Sequence, residues 1–433
     1  MMEGVLRSDS LVYKERAFDL LQEMSIWVSF NTKKAKDAIF YHYTRNINGF
    51  AAMLHEEEAI EIQKHPDVIS VFQSNERKLQ TTRSWGFLGL ETKSGEVPRS
   101  SVWNKSRFGE DVIIANLDSG VWPQRASFRD EGYGPVPLRW KGRCEEDKTD
   151  NPIQCNKYPN LQLEKVRAPI MADFSSRGPN MVQPAILKPD ITAPGVDILA
   201  AYSAYPRAIS GGEVFRIRNG TSVSCSHVTG IVGLIRALYP DWSPAAIKSA
   251  IMTSATKKDN TNAFIQNESQ RNATPFDYGA GHVHPSRAAD PGLVYDLTAN
   301  DYLNFLCAHG YNQSIIRRFS DRPFTCPTFF SVANLNYPSL TIPDLQGRIT
   351  VSRTVKNVGT PGKYSVIIKE PTGVSVYVNP RTLHFKETGE EKTFNVTLEV
   401  KADNNSSDYA FGYFTWLDGK HYVRSIIVVK LKL

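Results

Sequence analysis

The segment Asn219-Gly220-Thr221-Ser222-Val223-Ser224 runs straight into a stretch, Ser224 to Tyr239, whose apolar Val228, Ile231, Val232, Ile235 and Leu238 recur every three or four residues. That period predicts an amphipathic helix. A serine at a helix N-terminus after a glycine turn is placed to act as a nucleophile, because the helix dipole and the first-turn N–H groups favour negative charge there. The same residues also describe a helix cap, and taken alone they favour the cap. Asp118 follows the continuously apolar run Val112-Ile113-Ile114-Ala115-Asn116-Leu117. It stands at the end of a predicted buried strand, where α/β proteins place functional side chains, but a turn or cap aspartate is equally described. His282 and His284 lack a third or fourth ligand at finger or zincin spacing, so no metal site is expected, and no motif calls for a cofactor.

These residues must be held by elements that the pattern only partly supplies. Further strands are predicted at Ala168 to Phe174 and Asp197 to Ala201, and a second helix at Pro244 to Met252 behind the cap Ser243. The first region reads strand, strand, helix, strand: Ile39 to Tyr43, Phe50 to Leu54, Glu56 to Lys64 and Asp67 to Phe72. Glu56, Glu57 and Glu58 suit the first turn of its helix, where the dipole favours negative charge. Beyond Tyr337 the pattern changes to short alternating stretches: Ile349 to Val355, Tyr364 to Ile368, Val374 to Val378, Thr393 to Val400, Tyr413 to Leu417 and Ser425 to Leu431. Such spacing indicates a β-sandwich.

Bulk properties narrow the classes. The 433 residues carry 51 Lys and Arg against 45 Asp and Glu, a balance of +6 without blocks of either sign, so no nucleic-acid partner is expected. No run approaches the length of a membrane span. Met1 to Ser10 shows no apolar core of a secretory signal, since Glu3, Arg7 and Asp9 interrupt it. Against that, the five cysteines fall as two local pairs, Cys144 with Cys155 and Cys307 with Cys326, leaving Cys225 outside both. Paired loop cysteines favour an oxidising compartment, and eight Asn-x-Ser/Thr triplets suit a glycosylated secreted chain.

Asn116-Leu117-Asp118-Ser119-Gly120-Val121-Trp122-Pro123 and Gly220-Thr221-Ser222-Val223-Ser224-Cys225-Ser226-His227 resemble the aspartate and serine motifs of the plant subtilisin-like serine proteases, the cucumisin-like subtilases. Phe174 to Pro179, Leu187 to Gly195 and Asp277 to Gly281 are similar to other stretches of that family. So are Tyr43 to Ala52 and Thr81 to Trp85, which match its inhibitory propeptide and maturation junction, and Arg353 to Gly359, which matches its fibronectin III-like domain. The resemblance implies an α/β fold: an α+β ferredoxin-like propeptide over 1–80, its first strand missing, a subtilisin-like parallel-sheet peptidase domain over 81–330, and a fibronectin III-like β-sandwich over 335–433. It implies an extracellular serine endopeptidase of the apoplast or cell wall, with Asp118 and Ser222 catalytic, acting on a peptide or protein substrate, its own propeptide occupying the cleft.

One member of the triad is absent. The family supplies its base from an Asp-Gly-His-Gly-Thr-His motif, and nothing like it occurs in this chain. Shortly after Cys155-Asn156-Lys157, where the family continues toward that histidine, the sequence passes to Lys165-Val166-Arg167-Ala168-Pro169, which belongs near the serine end. The peptidase core is therefore expected to be internally truncated near 157–166. His227 lies five residues beyond Ser222, roughly 140° around a helix, so the two side chains point apart. His282 or His284 can serve as a base only within hydrogen-bond reach of Ser222 and oriented by an acid, and both are read as structural. An inactive protease, a pseudoprotease or propeptide-type inhibitor, and a truncated or mis-spliced product all fit this pattern.

Overall fold

The computed structural model describes residues 2–6, 39–43, 49–64, 68–73, 84–92, 95–114, 167–201, 215–316, 319, 322–401 and 408–432. The chain divides into two units, Met1–Leu79 and Gln80–Leu433. In the first, strands β1 (Met2–Leu6), β2 (Ile39–Tyr43), β3 (Gly49–Ala52) and β4 (Val68–Gln73) form one sheet in the order β2-β3-β1-β4, with helix α1 (Glu56–Gln63) between β3 and β4. β1 pairs antiparallel with both β3 and β4. The strand that sequence reasoning left out is thus present and central. Glu3 interrupts an apolar run, but a strand needs only paired backbone and alternate faces, so one charge does not exclude it. α1 begins at His55, whose backbone N–H donates to Glu58 Oε2 at 2.8 Å, and it buries Ala59 and Ile62.

The second unit opens with two short helices, α2 (Ser84–Phe87) and α3 (Val102–Lys105), the latter capped by Ser101. A two-stranded antiparallel hairpin, β5 (Ile198–Ala201) with β6 (Phe215–Arg218), leads into the long helix α4 (Thr221–Leu238). α4 buries Ile231, Leu234 and Ile235 against Leu88, Leu90, Val102, Val283 and residues of helix α5 (Pro244–Thr253). α5 starts where Ser243 Oγ accepts the Ala246 N–H at 2.9 Å, with Pro244 in its first turn. Helices α6 (Pro275–Tyr278), α7 (Pro285–Ala288), α8 (Ala299–Ala308) and α9 (Gln313–Ile316) follow, and Cys307 is bonded to Cys326. Cys144 and Cys155 lie outside the described residues.

Among the described residues of 81–330, parallel pairing is confined to the single bridges Ile170↔Gln266 and Thr192↔His282. Of the strand predicted from Val112 to Leu117 only Val112 to Ile114 are described, and they form no strand, with Ile113 and Ile114 each 49% exposed; of Ala168 to Phe174, also predicted, only Ile170 forms a bridge. A strand meant to be buried on both faces depends on neighbours along both edges, and among the described residues Val112 to Ile114 have none.

The C-terminal sandwich is complete. Strand β7 (Leu293–Val294) precedes β8 (Ser339–Leu345), β9 (Arg348–Asn357), β10 (Gly362–Lys369), β11 (Val374–Asn379), β12 (Thr382–Phe385), β13 (Glu391–Val400), β14 (Ala410–Leu417) and β15 (Tyr422–Leu431). They form sheets in the orders β12-β10-β14-β15-β8 and β11-β13-β9-β7. Inward residues alternate along β9, β10, β11 and β12, and the core centres on Phe394 and Trp416, whose rings meet edge to face at 5.0 Å. All six predicted strands are present; β7, β8 and β12 were missed. β8 contains Pro343, and β7 and β12 have two and four residues, too few for a period.

Leu293 and Tyr295, from before the predicted boundary at 335, belong to the sandwich core, and Tyr295 Oη lies 2.7 Å from Ser425 Oγ. A fragment of residues 290–433 is therefore expected to be more stable than one of 335–433 by about 3 kcal/mol, the burial of those two side chains. Urea unfolding of both fragments checks this. Residues 81–330 alone are expected to melt without a cooperative transition.

Near the same junction His421 is buried between two carboxylates, Nδ1 2.6 Å from Asp418 Oδ2 and Nε2 3.1 Å from Asp290 Oδ1. Burial opposes ionisation of Asp418, but the His421 N–H, the His421 ring and the Lys420 N–H outweigh it and hold the carboxyl down to about 2. A depressed folded pKa contributes stability above the ordinary 3.8 that is lost as pH falls toward 2. Asp418→Asn is accordingly expected to lower stability near neutral pH and to flatten the acid limb, read from urea midpoints between about pH 6 and about pH 3.

Candidate functional site

Ser222 stands in the first turn of α4 and is exposed. Gly220 is the N-cap residue and has no side chain to offer the first-turn N–H groups, so this helix end presents donors beside the hydroxyl. The loop before it is fastened at three points. Asn219 Oδ1 accepts the Asp197 N–H at 2.5 Å, the Gly220 N–H donates to the Gly195 carbonyl at 2.9 Å, and Ser224 Oγ donates to the Ala193 carbonyl at 3.0 Å. The run Ala193-Pro194-Gly195 therefore lies directly against the serine turn. A Cβ on Gly195 would come within 2.1 Å of Ser224 Oγ and 2.8 Å of the Gly220 carbonyl oxygen, so only glycine permits this approach.

The nearby histidines are occupied elsewhere. His227 Nδ1–H donates to the Val223 carbonyl at 2.9 Å, and its Nε2 meets Ser84 Oγ at 2.7 Å, so both ring nitrogens are engaged in tying α4 to α2. His282 is buried with its ring nearly perpendicular to that of Phe87, and donates from Nδ1 to the Val283 carbonyl at 3.0 Å, while its buried Nε2 meets no hydrogen-bond partner among the described residues. Burial, with smaller contributions from His284 and His227, lowers its pKa to about 4, leaving it a weak base. His284 caps α7, and burial followed by the charge of Arg287 lowers its pKa. Among the described residues no imidazole is hydrogen-bonded to Ser222.

The sequence-predicted pair is thus only half visible: Ser222 is placed at the open end of α4, and Asp118 lies outside the described residues. Gly195, Asn219 and Ser224 hold the serine turn, a duty that sequence reasoning did not assign to them. Pro194-Gly195 was the available signal, a turn dipeptide ending a motif. Among the described residues, no group of three or more His, Cys, Asp or Glu could hold a metal ion, and no helix is long and apolar enough to cross a membrane.

Family models match three consecutive segments: Peptidase inhibitor I9 over 8–80, Subtilase family over 148–281 and Fibronectin type-III domain over 334–429. Subtilisin-like protease SBT5.3 of Arabidopsis thaliana is 32% identical, with 96% of this chain and 93% of that protein covered. The chain belongs to the plant subtilisin-like protease family. Subtilisin-like protease SBT5.4 of the same plant is 31% identical over 92% of this chain and 90% of that protein. Over 273 residues the identity to Subtilisin-like protease SBT1.7 rises to 46%, covering 60% of this chain and 36% of that protein. The first of these alignments runs over 729 positions although this subtilase has 433 residues, so a large part of it consists of positions that this chain lacks. Ser222 falls inside the matched subtilase segment, and Asp118 precedes it.

Gly195→Ala is expected to displace the serine turn and to lower stability by about 1–3 kcal/mol, the usual cost of overpacking a close contact. Denaturant titration of the full chain measures it.

Proposed function

We propose that this chain is a subtilisin-type serine protease relative that keeps Asp118 and Ser222 as the remaining triad members but does not hydrolyse peptides at a rate typical of such enzymes. The observation that carries this reading is His227, the histidine nearest Ser222 in sequence, with both nitrogens committed to Val223 and Ser84, in a sequence without the family's histidine motif. A serine hydroxyl needs an adjacent base to act as a nucleophile at neutral pH. In subtilisin itself, from which the figure is borrowed, losing the histidine costs about 10⁶ in turnover and leaves roughly 10³ to 10⁴ over water. That residue of rate rests on an oxyanion hole and a cleft, and removal of one oxyanion donor takes away about another 10² to 10³. The substrate class remains peptide or protein, and the I9-like region is the natural occupant of whatever cleft remains. Secretion to the apoplast or cell wall is supported by the Cys307–Cys326 disulfide, which persists in oxidising compartments.

A second reading is favoured by the first unit, whose sheet has all four strands. Here the protein acts by binding, as a pseudoprotease or a propeptide-type inhibitor. A third, a truncated or mis-spliced product, is favoured by the alignment positions that the chain lacks. Transcript sequencing across Pro159 to Val166 separates this last from the others, because an omitted exon encoding the histidine motif would restore the full triad.

The catalytic claim is tested by assaying the purified chain beside its Ser222→Ala variant and probing both with a serine-directed fluorophosphonate. Neither turnover at family rates nor labelling of Ser222 is expected. Robust labelling that disappears in Ser222→Ala would mean that another residue serves as the base.

A further inference from the structure

Away from the serine turn, a cavity of about 210 Å³ opens where α5 and α8 meet the run Leu335–Pro338 that feeds β8. Its walls are largely apolar, with Ala245, Tyr295, Leu297 and Leu335 buried and Phe305 packed beside them. The charged side chains lining it are two lysines, Lys188 and Lys248. One carboxylate faces both. Asp190 Oδ2 accepts from Lys188 Nζ at 2.6 Å, while Tyr337 Oη donates to Oδ1, so each oxygen of Asp190 already has a partner. Lys248 Nζ stands 3.6 Å from Asp190 Oδ2, beyond a good hydrogen bond, and 5.5 Å from the centre of the Tyr337 ring.

Two ammonium groups face this one carboxylate, so Lys248 shares its counter-ion with Lys188. Burial opposes ionisation of Asp190, but the charges of Lys248 and Lys188 and its two hydrogen bonds hold its pKa below the ordinary value, so the carboxylate stays ionised. The amide of Asn336 is spent: it donates to the Asp296 and Thr354 carbonyls and accepts the Thr354 N–H. A ligand therefore finds hydrocarbon inside and the Lys248 ammonium as its principal polar handle, with the half-exposed Tyr302 at the rim.

We propose that this cavity binds a small monocarboxylic acid bearing a single aromatic ring or branched apolar tail, its tail among Leu297, Phe305 and Leu335 and its carboxylate on Lys248. The volume lies below the range of drug-sized sites, which restricts the tail to about one ring. A neutral molecule would leave the ammonium only its shared contact with Asp190, and a short acid such as acetate would leave the apolar walls uncovered.

The full chain is titrated calorimetrically at low ionic strength with 3-phenylpropanoate, its neutral isostere 3-phenylpropanamide, and acetate. Saturable binding of the aryl acid is expected, with the amide and acetate weaker by about tenfold or more, the equivalent of losing one good charge contact. Lys248→Met should weaken the acid about tenfold and leave the amide unchanged. Its side chain is half exposed, so the variant is expected to fold. Ala245→Leu, which fills the cavity, should abolish binding, whereas Ser222→Ala should not affect it. Equal affinity for acid and amide, indifference to Lys248→Met, or no saturable heat at millimolar ligand would each overturn the proposal.

Discussion

Buried backbone carbonyls must find donors, and in this chain one buried guanidinium from the sandwich supplies two of them. Arg424 on β15 donates to the Ala255 carbonyl at 2.8 Å and to the Ala280 carbonyl at 2.6 Å. From there the pairing continues inward. The Ala280 N–H donates to the Asp190 carbonyl, the Thr192 N–H to the Gly281 carbonyl, and the Val283 N–H back to the Thr192 carbonyl. One residue further on, the Ala193 carbonyl receives Ser224 Oγ, and the Gly195 carbonyl receives the Gly220 N–H. The serine turn thus hangs on a ladder anchored in the β-sandwich. Its position depends on that domain.

This explains why a defined serine turn coexists with exposed apolar chain. α4 and α5 pack on residues that lie before the gap and after it, so their shared core survives. The strand layer has no such substitute. Ile113, Ile114, Ile170, Phe174 and Val196 are exposed to between 41% and 49%, a level that a doubly covered sheet would not permit. The sandwich contributes packing as well as hydrogen bonds, through Leu187 against Ile426 and Val428 and the Lys257 ammonium 3.9 Å from the centre of the Tyr413 ring.

The sequence was most legible where local pattern and tertiary packing agree. The three-and-four spacing from Val228 to Leu238 located α4, Ser243-Pro244 located the start of α5, and alternation located six sandwich strands. It was least legible where structure depends on partners far along the chain. β1 is recognisable only through its pairing with β3 and β4, and β7 only through β9. The reverse held at Val112 to Ile114, the described part of the strand predicted to Leu117, where local pattern predicts a strand but no pairing among the described residues forms one. At the site, the motif located Ser222 and the helix geometry set His227 aside, but the close approach of Gly195 to Ser224 follows from packing that no spacing reveals.

The same division governs the chemistry. A serine at a helix N-terminus keeps part of what stabilises an oxyanion, because the dipole and first-turn N–H groups belong to α4 and need nothing from the missing segment. Activation of the hydroxyl is different in kind, since it requires a proton acceptor held within hydrogen-bond reach. The groups that could have been redirected to that task are fixed by the packing that keeps the fold together. Moving His227 toward Ser222 would break its bonds to Val223 and Ser84, and protonating His282 would place a charge in a site whose burial already lowers its pKa to about 4. The interactions that preserve the serine turn therefore also oppose its rescue by either of these residues.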